Sequence, residues 1–346
     1  MSAVERLTVQ PDYPDESART AAPRTLATRG ERSDEAFRGV ARLGGVIVLV
    51  IMCLVGVFLS WQSIAALRKV GIVEFITTAD WHPETYHFGI AALLPGTILI
   101  ALVALIVAFP LSIAAALFVT EIAPAGLRRV MVSVVDLMAA VPSVLFGLWG
   151  ARFLQPTLVP FARWLSTWFG WIPIFKVDGA DPSNPLPDDA LYTASTFIAG
   201  LVVAAMVIPV MTSMMRESFS RAPIGEREGA YALGATRWGV IRSVVLPFGR
   251  GGVIGGTMLG LGRALGETIA IYLIISPSVT VNWHILEANR ANSIAATIAL
   301  KYGEANDFGI SALMAAGLAL FILTMAVNFT ASTIIARSRS GAESED

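Results

Sequence analysis

Six long apolar segments leave this chain few ways to fold. They run at about 41–65, 93–119, 130–152, 193–214, 252–275 and 309–335, each long enough for a helix of roughly 20 residues to cross a bilayer. Inside hydrocarbon no water satisfies a peptide N–H or C=O, so each segment must make its own hydrogen bonds as a helix. The expected fold class is all-α, a polytopic membrane protein with six transmembrane helices. Composition agrees: 55% of the 346 residues are hydrophobic and 15% are charged, against about 25% charged in soluble domains. Pro110, Pro142 and Pro209 lie inside the second, third and fourth segments and predict tilts or kinks there.

Positive charge sets the expected orientation. The tail before the first span, the second–third and fourth–fifth loops and the end of the chain hold seventeen Lys and Arg residues, against seven in the other connections. The richer side is expected to be cytoplasmic, with both termini on it, in the cytoplasmic (inner) membrane. Residues 1–38 are polar and punctuated by Pro11, Pro14 and Pro23, a disordered-tail composition rather than a cleavable signal peptide. The single cysteine, Cys53, excludes an intramolecular disulfide and is expected to be a packed structural thiol. A formal net charge of −1 and the absence of a basic tract give no reason to expect nucleic acid as a partner; membrane lipid is the expected surrounding.

Two outer connections carry features of their own. Residues 155–192 combine Trp164, Trp168, Phe169 and Trp171 with a polar, Pro-rich run from Asp181 to Asp189. The aromatics fit a helix at the membrane interface, and the whole reads either as a docking face for an external partner or as a solvated loop. His82, Glu84 and His87 raise a metal reading, but their spacing matches no strong ligand signature, so no metal or cofactor is expected. The sequence has no G-x-x-x-x-G-K-[ST] and no H-E-x-x-H. Enzyme chemistry is not expected.

The informative stretch runs from Glu226 to Ile275. Arg263 and Glu267 stand four residues apart inside its apolar part, where one charge costs about 3 kcal/mol on insertion scales. On a continuous helix they share a face. The pair reads as the lining of a substrate pathway, or as an intrahelical ion pair that lets both charges be buried. Arg offers a planar fork of donors suited to an oxyanion, and Glu267 can accept a hydrogen bond from a protonated one. Thr268 follows directly. Ser143, after Pro142, can bond substrate or satisfy a carbonyl freed by the proline. Gly252, Gly256, Gly260 and Ala264 recur every four residues, a pattern for close helix packing against a partner helix. Upstream, a short helix is expected to end at Gly234 in a left-handed cap. A second amphipathic turn carries Trp238, Ile241 and Val245, and Pro247 marks the turn into the membrane.

Glu228-Gly229-Ala230, Gly234 and Leu246-Pro247 resemble the "EAA" coupling loop of binding-protein-dependent ABC importer permeases, with Gly229 in place of the central Ala. The resemblance implies a type I ABC importer permease (MetI-like) core over 91–337, with a coupling loop at 216–250 that docks on separate ATPase subunits. Residues 39–90 would add a first transmembrane helix and outer loop, and 338–346 a short cytoplasmic tail. Val141 to Gly150, Gly255 to Thr268 and Asn292-Ser293-Ile294 are similar to the C-type permease of the phosphate-specific importer. That likeness implies an A-type permease partner, two ATPase subunits and an extracytoplasmic phosphate-binding protein. Sulfate or molybdate permeases and a non-ABC secondary anion transporter are the alternatives; the latter would leave the 226–247 loop unexplained.

Overall fold

The computed structural model describes residues 32–180, 188–275 and 277–339. Helices dominate it. Helix α1 spans Arg32–Val70, α2 Ile72–Thr77, α3 Leu93–Leu117, α4 Ala125–Ala139, α5 Ser143–Trp149, α6 Gln155–Phe169 and α7 Thr196–Ser220. They are followed by α8 Ile224–Ala232, α9 Arg237–Val240, α10 Leu246–Gly266, α11 Ile269–Ile274, α12 Ile294–Lys301 and α13 Asp307–Arg339. A two-residue antiparallel ribbon, β1 Trp81–His82 against β2 His87–Phe88, pairs Trp81 with Phe88.

Five helical stretches are long and apolar enough to cross a membrane: Ala36–Val70, Leu93–Ile122, Thr196–Ser220, Arg237–Gly266 and Asp307–Thr330. The third expected span is different. Ala125–Ala139 and Ser143–Phe169 meet at 93°, so 130–152 is not one straight helix. Pro142 gives the reason, since its ring disfavours helical backbone at Val141 and it supplies no N–H. Helix α4 therefore stops at Ala139, and Pro142, at φ −60° and ψ 140°, caps the new start at Ser143. Pro110 and Pro209, by contrast, stay inside unbroken helices.

The described residues fall into two compact units, divided between Leu54 and Val55. In the first, α1 already begins at Arg32, so residues 32–38 are helical rather than tail; residues 1–31 lie outside the described ones. Cys53 is exposed on α1, which corrects the packed thiol: its own chain does not cover it. At the other end, Ser338 and Arg339 belong to α13 rather than to a tail.

The second unit is built around α7. Its face of Ile198, Val202, Val203, Met206, Met211 and Met215 is almost fully buried, because α3 and α10 flank it with small residues. Ala101, Ala104 and Ala108 of α3 are each 1% exposed, and a Cβ on Gly200 would lie 2.5 Å from Val103. On the other flank, the Gly252–Gly256–Gly260 stripe packs on α7 of this same chain. An added Cβ would lie 2.1 Å from Ser218 at Gly252 and 2.6 Å from the Met211 sulfur at Gly260. Such stripes let backbones approach closely where the hydrophobic effect gives little drive between helices.

The connection before α3 and the one between α11 and α12 are hydrogen-bonded together. The Asn292 amide donates to the carbonyls of Ala92 (3.1 Å) and Thr280 (2.7 Å), and the Ile294 N–H donates to Thr97 Oγ1 at 3.0 Å. Trp164, Trp168 and Trp171 stand exposed on α6 and just beyond it, as an interfacial helix requires. Residues 181–187 of the Pro-rich run lie outside the described ones. Nearby, a hydrogen bond from Lys176 and its charge hold the exposed Asp178 carboxyl below the usual carboxylate range.

Candidate functional site

Helix α10 is unbroken from Gly252 to Gly266, so Arg263 lies about 16 Å along its axis beyond Gly252. The helix then stops. Glu267, at φ −67° and ψ 127°, has left it, and a new helix, α11, starts at Ile269. Arg263 and Glu267 therefore do not share a continuous helical face, and no ion pair joins them among the described residues. Glu267 supplies the reason for the break. Its buried Oε1 accepts from the Ala270 N–H at 3.2 Å, so the carboxylate caps the start of α11, an arrangement available only off the α10 helix. Thr268 is half-buried and donates its hydroxyl to the Gly266 carbonyl at 3.2 Å, satisfying an acceptor that the broken helix leaves open.

Helix α11 lies on α5, and both run in the same direction. An added Cβ would lie 2.9 Å from Ala270 Cα at Gly147, and 3.2 Å from Ile274 at Gly150. Stepping back four residues from Gly147 and from Ala270 brings Ser143, the half-buried first residue of α5, level with the break at Gly266–Thr268. Two helix starts thus stand side by side, and each carries the positive end of its dipole. The Arg263 guanidinium, half-buried in the last turn of α10, has no hydrogen-bond or salt-bridge partner among the described residues. One carboxylate, that of Glu267, accepts from the start of α11. Beside Arg263, a Cβ on Gly262 would come 3.8 Å from the Asn328 carboxamide oxygen of α13, a neighbour that periodicity did not single out.

The stretch from Ile224 to Val240 folds as a helix, a cap and a second helix. Gly234 has φ +83°; Gly234 N–H donates to Tyr231 O at 2.9 Å and Ala235 N–H to Ala230 O at 3.0 Å, a left-handed helix end of the kind glycine favours. Thr236 accepts from the Gly239 N–H at 3.2 Å and opens α9. Pro247 does not turn the chain. It sits in the first turn of α10, and the five-residue π turn Ile241–Val245 before it makes the stretch from Arg237 to Gly266 one continuous span; a π turn absorbs the missing N–H without breaking the rod. Glu228 and Gly229 are exposed, Leu246 is half-buried and Ala230 packs inward. Leu233, Ile224 and Trp238 stand out to 91%, 72% and 62% exposure.

His82, Glu84 and His87, whose spacing gave no reason to expect a metal, form no ligand cluster among the described residues. His87 faces Asp80 at 3.3 Å and Glu74 at 3.7 Å instead. Asp178, His284 and Glu287 do gather with ligand atoms within 4.8 Å of one another. However, Lys176 sits 2.9 Å from Asp178 and Arg290 3.3 Å from Glu287, so both carboxylates are already neutralised and a cation gains little there. Sequence reasoning also missed Glu121. It lies two residues beyond the expected second span, but the helix continues through it to Ile122.

Residues 108–340 match the family described as binding-protein-dependent transport system inner membrane component. The chain belongs to that family. A curated relative, the phosphate transport system permease protein PstC 2 of Mycobacterium tuberculosis, is 37% identical over 313 residues, covering 89% of this chain and 92% of its own. The phosphate transport system permease protein PstC of Xylella fastidiosa is likewise 37% identical, over 92% of this chain and 95% of its own. Among solved structures, a bacterial ABC transporter that imports alginate superposes with a TM-score of 0.57 at 16% identity, over 89% of this chain and 99% of its own. That likeness is one of fold. The polytopic helical importer core expected from the sequence is present, with the bent pair where a straight third span was expected.

Proposed function

We propose that this chain is the C-type permease of an ATP-driven importer that moves inorganic phosphate across the cytoplasmic membrane, with both termini cytoplasmic. An A-type permease, two ATPase subunits and an extracytoplasmic phosphate-binding protein complete the assembly. The observation that carries the reading is a guanidinium, without a partner among the described residues, beside a helix break deep in an apolar segment. A charge there is unfavourable unless something neutralises it, and an oxyanion passing the break would do so. The names of the curated relatives support phosphate as that anion.

The break also accounts for selectivity. Glu267 uses Oε1 on Ala270, which leaves its other oxygen to accept a proton-bearing phosphate hydroxyl. Sulfate has no such proton at neutral pH and meets only carboxylate repulsion. ATP binding would draw the ATPases together, displace the coupling loop and open the break to the outer side; hydrolysis would return it. Contacts that differ between the two states drive such a change.

The test is uptake of labelled phosphate into vesicles holding both permeases, the ATPase and the binding protein. Uptake should require ATP, and excess sulfate should compete poorly. Sulfate or molybdate moving in preference to phosphate would establish the alternative. In the same vesicles Glu267→Gln keeps an oxygen for the Ala270 N–H but removes the charge, so sulfate competition should rise about tenfold, the equivalent of roughly 1.4 kcal/mol. Unchanged competition would show that Glu267 only caps α11.

A further inference from the structure

Arg227 lies inside the coupling helix α8, yet its side chain turns away from the exposed face. It is 21% exposed and reaches Glu121, itself 10% exposed, with Nη1 3.1 Å from Oε1. Its Nη2 donates to the Phe219 carbonyl at 2.6 Å. Each of these partners leads elsewhere. Glu121 lies in the π turn that ends α3. Phe219 lies in the last turn of α7, and its fully buried ring packs where an added Cβ on Gly249 of α10 would lie 2.3 Å away. One guanidinium thus ties α8 to the ends of two membrane helices, α3 and α7, and α7 crosses α10 along the glycine stripe that leads to Arg263.

From this geometry we propose that the Glu121–Arg227 pair, anchored on the Phe219 carbonyl, is the joint through which movement of the coupling loop reaches the membrane helices. The proposal rests on the importer reading and adds a positioning residue to it. A helix touching its neighbours only through alanine and glycine would slide when pushed. A planar fork holding a carboxylate and a carbonyl at once resists displacement in several directions. The apolar residues exposed on α8 and the following turn, Ile224, Tyr231 and Leu233, are left to engage a partner.

The test uses the complete reconstituted complex and reads phosphate moved per ATP hydrolysed. Arg227→Gln and Glu121→Gln should each lower that ratio about tenfold while ATP hydrolysis per recovered complex changes less than about twofold. The double variant should be no worse than the poorer single, because residues acting as one unit are non-additive. Arg227→Lys, which keeps the charge, should retain more than about half of the ratio. Unchanged ratios in the singles, or losses that multiply in the double, overturn the proposal. If Arg227→Gln does not assemble, Glu121→Gln decides alone. Amide hydrogen exchange across Ile224–Ala232 gives an arm that needs no substrate: both glutamine variants should exchange about tenfold faster, and unchanged exchange overturns the joint. A wild-type complex that moves no phosphate counts against the importer reading and leaves the exchange arm to decide the joint.

Discussion

Arg263→Ala is expected to reduce ATP-dependent phosphate uptake about 100-fold or more while leaving the amount of assembled complex unchanged. Hydrogen bonds to a charged group contribute about 1.5–3 kcal/mol each, and a guanidinium fork offers two to an oxyanion. Losing both removes at least about 3 kcal/mol, and each 1.36 kcal/mol is a factor of ten. Arg263→Lys keeps the charge and loses the fork, so about tenfold is expected. The unchanged assembly is the sharper half of the prediction. Because the guanidinium has no partner among the described residues, truncating it leaves none of their carboxylates stranded. Glu267 is held by Ala270, not by Arg263. A fall in recovered complex instead would mean that Arg263 pairs with the second permease and is structural.

Much of this arrangement was legible in the sequence because it is local or periodic. Apolar length gives the spans, Gly234 gives the end of α8, and the four-residue recurrence from Gly252 to Ala264 gives a packing stripe. The break at Glu267 was not legible. A spacing of four residues on an apolar stretch reads as one helical face, and only the competing bond from Glu267 to Ala270 shows that the helix ends between the two charges. The bend at Pro142 was legible as a kink but not as 93°, since Pro110 and Pro209 leave their helices unbroken; tertiary packing decides which proline breaks a rod. The Glu121–Arg227 pair joins residues 106 apart, a separation over which no periodicity speaks. Its one local clue was an acidic residue just past an apolar run, on the side rich in arginine.

Long-range closure of that kind produces the second large effect. Gly96→Ala should lower the thermal midpoint of the purified complex by about 5–10 °C, whereas Gly255→Ala should leave it within about 2 °C. At Gly96 the new methyl would lie 2.2 Å from the Asn292 carbonyl oxygen, 2.8 Å from its carbon and 2.9 Å from its Cα. All three are backbone atoms, so no side-chain rotation relieves the overlap. Asn292 cannot retreat freely, because its amide bonds Ala92 and Thr280 and the nearby Ile294 N–H bonds Thr97. Overpacking costs about 1–3 kcal/mol, and each hydrogen bond lost in the retreat adds about 1 kcal/mol. At Gly255 an added Cβ meets nothing within 4 Å, and alanine is the better helix former. Equal melting of the two variants would mean that the connection between α11 and α12 does not rest on the start of α3.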